Sequence, residues 1–244
     1  MERTLAKGLQ ALELLARSGR AWGVTPLARA LQLPKANVYR SLRTLLELGY
    51  VKQDENGEYR ASLKLFELGS GVVNAIDVRQ AALGPLNRLA EATHETTHLA
   101  TRDGWDILYL VKIDSPQPVR AYSELGGRAP AHCVATGKAL LAHAEPEHWP
   151  ARLPRHTERT IVEPARLRTQ LAEIRRIGYA INREEWRDGV GGVGAAILDR
   201  HGRPVAAVGM SVPIARFNAT TARALGAQAA QTAASISSEL GYCP

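Results

Sequence analysis

Three strings in this 244-residue chain have spacings that could carry chemistry. His94-Glu95-Thr96-Thr97-His98 has the H-E-x-x-H spacing by which a zinc hydrolase holds its metal on two imidazoles and activates a water with the glutamate. That chemistry needs both imidazoles on one face of a continuous helix and a third ligand downstream. Here two β-branched threonines lie inside the string and a period of two begins at His98, so the helix is expected to end within it and the imidazoles to diverge. A zinc-dependent hydrolase is the alternative function that this string alone would support.

Gly189-Val190-Gly191-Gly192-Val193-Gly194 fits G-x-G-x-x-G, but it follows the polar residues 184–188 and opens a strand, whereas a dinucleotide fingerprint follows a strand and opens a helix. Its glycines are expected to allow close backbone approach in a pocket wall. Gly137-Lys138 has His132 where a phosphate-binding loop would need glycine, so it is no P-loop. Cys133 lies just before a helix start that could lower a thiol pKa, which would suit a redox switch, or it is a small buried residue. No nucleophile constellation, catalytic residue, metal site or cofactor is expected, and the chain is read as not an enzyme.

A stronger signal lies nearer the N-terminus. From Leu14 to Leu46 there is no Asp or Glu, while Arg17, Arg20, Arg29, Lys35, Arg40 and Arg43 are all present. The chain carries a net charge of +7, and residues 1–60 hold 10 Lys and Arg against 6 Asp and Glu, so the excess is localised. A basic face on a short helix points to duplex DNA. Thr25, Lys35, Ala36, Asn37, Tyr39, Arg40, Arg43 and Thr44 are expected at that interface, without assignment to particular bases, because phosphate contacts usually outnumber base contacts.

The elements that position these residues follow from the apolar periodicity. Leu5, Leu9, Leu12 and Leu15 mark a first helix stopped by Gly19; Thr25 as N-cap with Pro26 in the first turn opens a short second one with Leu27, Ala30 and Leu31. A third starts at Pro34, buries Val38, Leu42, Leu45 and Leu46, and ends at Gly49. Strands over 50–53 and 59–63 flank the turn Asp54-Glu55-Asn56-Gly57, which completes a winged helix-turn-helix with its third helix in the major groove.

A helical connector continues to Ala75, and a further helix from Asp77 to about Thr93 should kink or restart at Pro85. Beyond it, a hairpin over 98–113, a strand over 119–123, helices over 136–143, 164–177 and 220–240, and strands over 179–182, 193–198 and 204–211 make an α+β domain with an antiparallel sheet flanked by helices. The expected divisions are 1–63 for the winged domain, 64–78 for the linker and 79–244 for the second domain. Two cysteines, no apolar leader at the N-terminus and no apolar run of about 20 residues lead us to expect a cytoplasmic protein that does not enter the membrane.

With these elements in place, PKANVYRSLRTLLELGYV at 34–51, GGRAPAHCVATGKALLA at 126–142, IGYA at 177–180 with Glu184-Glu185, and 195–211 resemble the IclR family of transcriptional regulators over nearly the whole chain. The resemblance implies a GAF-like effector domain, homodimers or dimers of dimers, and repression or activation of catabolic genes through operator DNA in response to a small organic acid. It places the carboxylate on main-chain amides at Ala135 and Thr136, where a helix N-terminus suits an anion. Pocket positions that are commonly an acid, a cysteine and two serines fall on Asn182, Gly192, Gly209 and Ser211, of which only Ser211 keeps the pattern. The losses of volume and charge imply a wider, less acidic pocket and an effector larger than pyruvate, aromatic or hydroxylated, with Tyr122 and Trp186 as candidate aromatic contacts.

Overall fold

The computed structural model describes residues 3–74, 78–121, 124–144 and 146–243. They fall into two compact units, residues 1–75 and 76–244. The first holds α1 (Arg3–Ser18), α2 (Val24–Leu31), α3 (Lys35–Glu47), the strands β1 (Val51–Gln53) and β2 (Tyr59–Ala61), and α4 (Lys64–Asn74). Ala11, Leu12 and Leu15 of α1, Leu27 and Ala28 of α2, and Val38 and Leu42 of α3 close on Val51 and Tyr59 of the hairpin. Burying those side chains holds together helices of 16, 8 and 13 residues, of which the second is far too short to persist alone in water.

Several local expectations are corrected here. Leu5 and Leu9 are 59% and 49% exposed, so the core face of α1 starts only at Ala11. In α2 the N-cap is Gly23, not Thr25, and Ala28 is buried where Ala30 is exposed. The cause is Trp22, whose backbone forms an isolated bridge with Tyr59 of the hairpin, so the chain turns into helix at Gly23. Pro26 then sits within the first turn, where a missing N–H costs nothing. The turn after Gln53 is as expected: the Asp54 carboxylate accepts from the N–H groups of Asn56 and Glu58, and Gly57 takes φ +78°.

The second unit holds α5 (Val78–Thr93), β3 (Thr96–Asp103), β4 (Asp106–Ile113), β5 (Arg128–Pro130), α6 (Ala135–His143), α7 (Pro164–Ile177), β6 (Ala180–Arg183), β7 (Val190–Leu198), β8 (Pro204–Pro213) and α8 (Ala219–Glu239). Six strands form one antiparallel sheet in the order β5-β4-β3-β8-β7-β6. One face packs on α5 and α8 through Leu86, Leu89, Leu225 and Ile236, the other on α6 and α7 through Leu140, Leu141, Leu167 and Leu171. The fold is α+β.

Helix α5 is a single helix through Pro85 and not two; the residue before the proline is Gly84, which has no Cβ for the ring to strike. Residues 119–121 are not a strand. The Val119 carbonyl accepts from Arg216 Nη1 and that of Ala121 from the Thr96 hydroxyl, so side chains satisfy what a ladder would, and the third strand is instead β5, pairing Ile107 with Ala129. Strand β7 begins at Val190, which puts Gly191 and Gly192 inside it. Ala75, Asp77, Tyr122 and Ser123 lie outside the described residues.

Candidate functional site

On α3, Val38 and Leu42 point into the core, and the residues around them are left outside: Lys35, Ala36, Tyr39, Arg40, Arg43 and Thr44 are exposed and Asn37 is half-buried. Arg40 donates through Nη2 to Asn37 Oδ1 at 2.7 Å, which orders both groups on the first turns of the helix. Arg43 reaches Glu47 at 3.4 Å, a solvent-screened contact of little energetic weight. Thr4 and Lys7 of α1 border the same concave surface as Asn37, Arg40, Ser41 and Thr44. Sequence reading missed those two because it assigned the first turn of α1 to the core. Thr25 is exposed on α2. The face is cationic, and its first turn carries no acid to repel a phosphate.

The second candidate site is built by glycines. Across the sheet, Thr96, Ser211, Gly192 and Asn182 stand in one row and His98, Gly209, Gly194 and Ala180 in the next. A Cβ on Gly194 would lie 2.7 Å from Thr136 N and 2.8 Å from the Ala135 carbonyl carbon, and one on Gly209 would strike Thr136 Cγ2 and His98. The bare backbone therefore lets the first turn of α6 lie directly on the sheet. No side chain caps that turn: the N-cap is Val134, in extended conformation. Among the described residues, the buried Thr136 hydroxyl, His98 Nδ1 and Asn182 Oδ1 have no hydrogen-bond partner, although Asn182 Nδ2 donates to the Cys133 carbonyl at 2.8 Å. Uncapped amides and orphaned buried polar atoms in one place are what an anionic ligand with further polar groups would satisfy.

Ala135, Thr136, Asn182, Gly192, Ser211 and Trp186 line this one cavity. Gly209 lies beneath Thr136, and Tyr122 is outside the described residues. His98, Tyr109 and Arg187 also line it and were not expected there. His98 had been visible only as part of the H-E-x-x-H string. The two glycines leave no extra room here: a side chain at Gly192 would strike the Met210 carbonyl oxygen, Thr136 and His98 fill the space beside Gly209, and about 30 Å³ remains, room for a water or two. No Asp or Glu is among the lining residues, and the exposed Arg187 is one of them.

Both units match one family. The IclR helix-turn-helix domain aligns over residues 4–55, and the C-terminal domain of the bacterial transcriptional regulator IclR over residues 70–238. The chain belongs to the IclR family of transcriptional regulators. It is 35% identical to the HTH-type transcriptional regulator KdgR of Escherichia coli K12 over 226 residues, covering 90% of this chain and 86% of that one. The crystal structure of Thermotoga maritima IclR superposes with a TM-score of 0.83 at 29% identity, covering 99% and 100% of the two chains. An IclR homologue from Microbacterium hydrocarbonoxydans, crystallised with 4-hydroxybenzoate, gives 0.83 at 26% identity and 97% and 98% coverage. IclR-family proteins are DNA-binding regulators and not enzymes, and among the described residues no helix is long and apolar enough to cross a membrane.

The IclR fold dismantles the hydrolase string. Helix α5 ends at Thr93, His94 takes φ +56° and is exposed, Glu95 is buried in a two-point ion pair with Arg216 at 2.6 and 2.8 Å, and His98 is in β3. Cys133 is no thiolate either; burial pushes its thiol up to about 12, which removes the redox-switch reading. Burial likewise lowers His98 to about 4, so the imidazole, edge-on to Tyr109 at 4.9 Å, is neutral at pH 7.

That lowering has a sign that can be checked. Between about pH 6.5 and 4 the unfolded chain holds a proton at His98 that the folded chain does not, so stability of the second unit falls as pH drops through this window. The limit is about 3 kcal/mol. Urea unfolding followed by tryptophan fluorescence should show this slope in the wild type and a flatter one in His98→Gln; equal slopes would mean that His98 titrates alike in the folded and unfolded chain.

Proposed function

We propose that this chain binds operator DNA through α3, with Lys35, Asn37, Tyr39, Arg40, Arg43 and Thr44 at the duplex and Thr25 and Ala36 beside it. A small organic acid seated on the Ala135 and Thr136 amides sets its affinity. The observation that carries the effector half is the uncapped α6 turn beside three unpartnered buried polar atoms. Asn182, Gly192, Ser211 and Trp186 complete the recognition of the acid's other end. The orphaned hydroxyl, imidazole and amide oxygen favour a hydroxylated or phenolic acid larger than pyruvate, in keeping with the 4-hydroxybenzoate held by the Microbacterium homologue. Because the cavity is small, such an acid seats only if Trp186 and Arg187, on the turn between β6 and β7, move outward. The protein then acts in the cytoplasm on catabolic genes as a homodimer or a pair of dimers, with Leu63 and Phe66, each over 70% exposed, offering apolar surface to a second copy.

Fluorescence anisotropy on duplex DNA from the gene's own upstream region tests both halves. With about six phosphates neutralised, log affinity should fall against log salt with a slope near roughly −5. Arg40→Ala should weaken binding about tenfold and reduce the slope by about 1. Binding indifferent to salt would sink the α3 assignment. Adding 4-hydroxybenzoate or sugar acids should shift the isotherm; pyruvate or glyoxylate binding more tightly than all of them would refute the effector class.

A further inference from the structure

Outside the effector cavity, His132, Cys133 and His156 bring one donor atom each to within 4.8 Å of one another, and among the described residues no other such group of three appears. His132 and Cys133 are buried at 2% and 0% exposure, and His156 is exposed on the segment between α6 and α7. We propose that these three side chains form a binding site for a borderline-soft d¹⁰ cation, Zn²⁺, with an open fourth position.

Three features support it beyond proximity. First, His132 Nε2 lies 2.9 Å from the Pro154 carbonyl oxygen. With Nε2–H donating there, Nδ1 keeps the lone pair, and an imidazole fixed by a backbone carbonyl is the usual second partner of a metal-bound histidine. Second, the backbone at His156 is held in place. The Thr160 hydroxyl accepts from the N–H groups of His156 and Thr157 at 3.0 and 2.8 Å and donates to the Glu185 carbonyl at 2.7 Å. Third, His132 and His156 both line a cavity of about 630 Å³, walled by Trp105, Trp149 and Pro154, which gives a cation and its fourth ligand a way in.

Donor chemistry selects the ion. Two imidazoles and a thiolate suit Zn²⁺ and exclude Mg²⁺ and Ca²⁺, which take oxygen ligands. Tetrahedral zinc with bonds near 2.0 to 2.3 Å needs its donors about 3.5 Å apart, so the triad must contract by roughly 1 Å. The exposed His156 side chain is the one free to supply most of that movement. Burial now keeps Cys133 protonated; on coordination the thiol proton leaves to solvent and the sulfur bonds the metal as thiolate. None of this depends on the effector reading.

Zinc and cobalt titrations of the full-length protein, against a chromophoric competitor, test the site. One equivalent per chain should bind, and Co²⁺ should give a thiolate-to-metal charge-transfer band. His156→Ala, at an exposed position that leaves the core intact, should lower affinity at least tenfold. Cys133→Ser should abolish the band, and Cys243→Ser, at the exposed second cysteine, should keep it. Substoichiometric binding, no charge-transfer band, or unchanged affinity in His156→Ala would each overturn the proposal.

Discussion

Replacing Lys138 by methionine is expected to destabilise the second unit by about 3 to 5 kcal/mol, because it strands a buried carboxylate. Lys138 lies in α6 with no exposed surface, and its ammonium meets Glu185 at 2.5 Å and the Ile181 carbonyl at 3.2 Å. Burial pushes Lys138 down and Glu185 up, and each partner pulls the other back toward its charged form. With the ammonium gone, Glu185 has to hold a proton in the folded state at a pH where the unfolded chain has released it. Measured against the wild type at the same pH, which cancels the opposite His98 slope, the variant's stability should therefore rise as pH is lowered from 7 to 5, which a mere cavity would not produce. Lys138→Met/Glu185→Met should regain most of the loss, since a well-packed apolar pair often matches a buried ion pair. Urea unfolding at both pH values checks this; a double variant as unstable as the single one would mean packing, not charge, is what Lys138 supplies. The pair also bears on function. Glu185 precedes Trp186 and Arg187, so the same contact fixes two residues that line the proposed effector cavity.

Much of this molecule could be read from its residues, and the failures share a cause. The third helix and the wing were legible because periodic leucines, an Asp-to-Gly turn and a basic remainder all agree locally. Helix boundaries at 164–177 were legible for the same reason, with Pro164 at the start and Gly178 at φ +84° just beyond the end. What failed was decided by partners far along the chain. Gly23 caps α2 because Trp22 pairs with Tyr59, and residues 119–121 are irregular because Arg216, 97 residues away, takes the Val119 carbonyl. At the effector site, side-chain substitution alone implied a wide pocket. Only the sheet register, which sets His98 opposite Gly209 beneath Thr136, explains why the freed volume is filled. His156 could not be joined to His132 and Cys133 by spacing, since it lies 23 positions beyond Cys133, across a helix and irregular chain.

Gly194→Ala is expected to silence the response to acid while leaving DNA binding in place. The added methyl would stand 2.7 to 2.9 Å from Thr136 N, Ala135 C and Thr136 Cα, all of them backbone atoms that cannot rotate away. Either β7 or the first turn of α6 must shift, and overpacking of this kind costs about 1 to 3 kcal/mol. The sheet strand is hydrogen-bonded on both sides, to β6 and β8, so the helix terminus is the part that yields. In the proposed effector site its amides would then no longer converge with the Thr136 hydroxyl and Asn182 on one carboxylate, and a misplacement of about 1 Å is enough to lose such a site. Isothermal titration with 4-hydroxybenzoate should show at least tenfold weaker binding to the variant. Anisotropy on operator DNA should give the wild-type isotherm without acid and no shift with it, because residues 4–55 fold around their own core. A Gly194→Ala protein that still responds to acid like the wild type would remove α6 from the effector site. One that loses DNA binding as well would show that the α6 turn is needed for more than the acid.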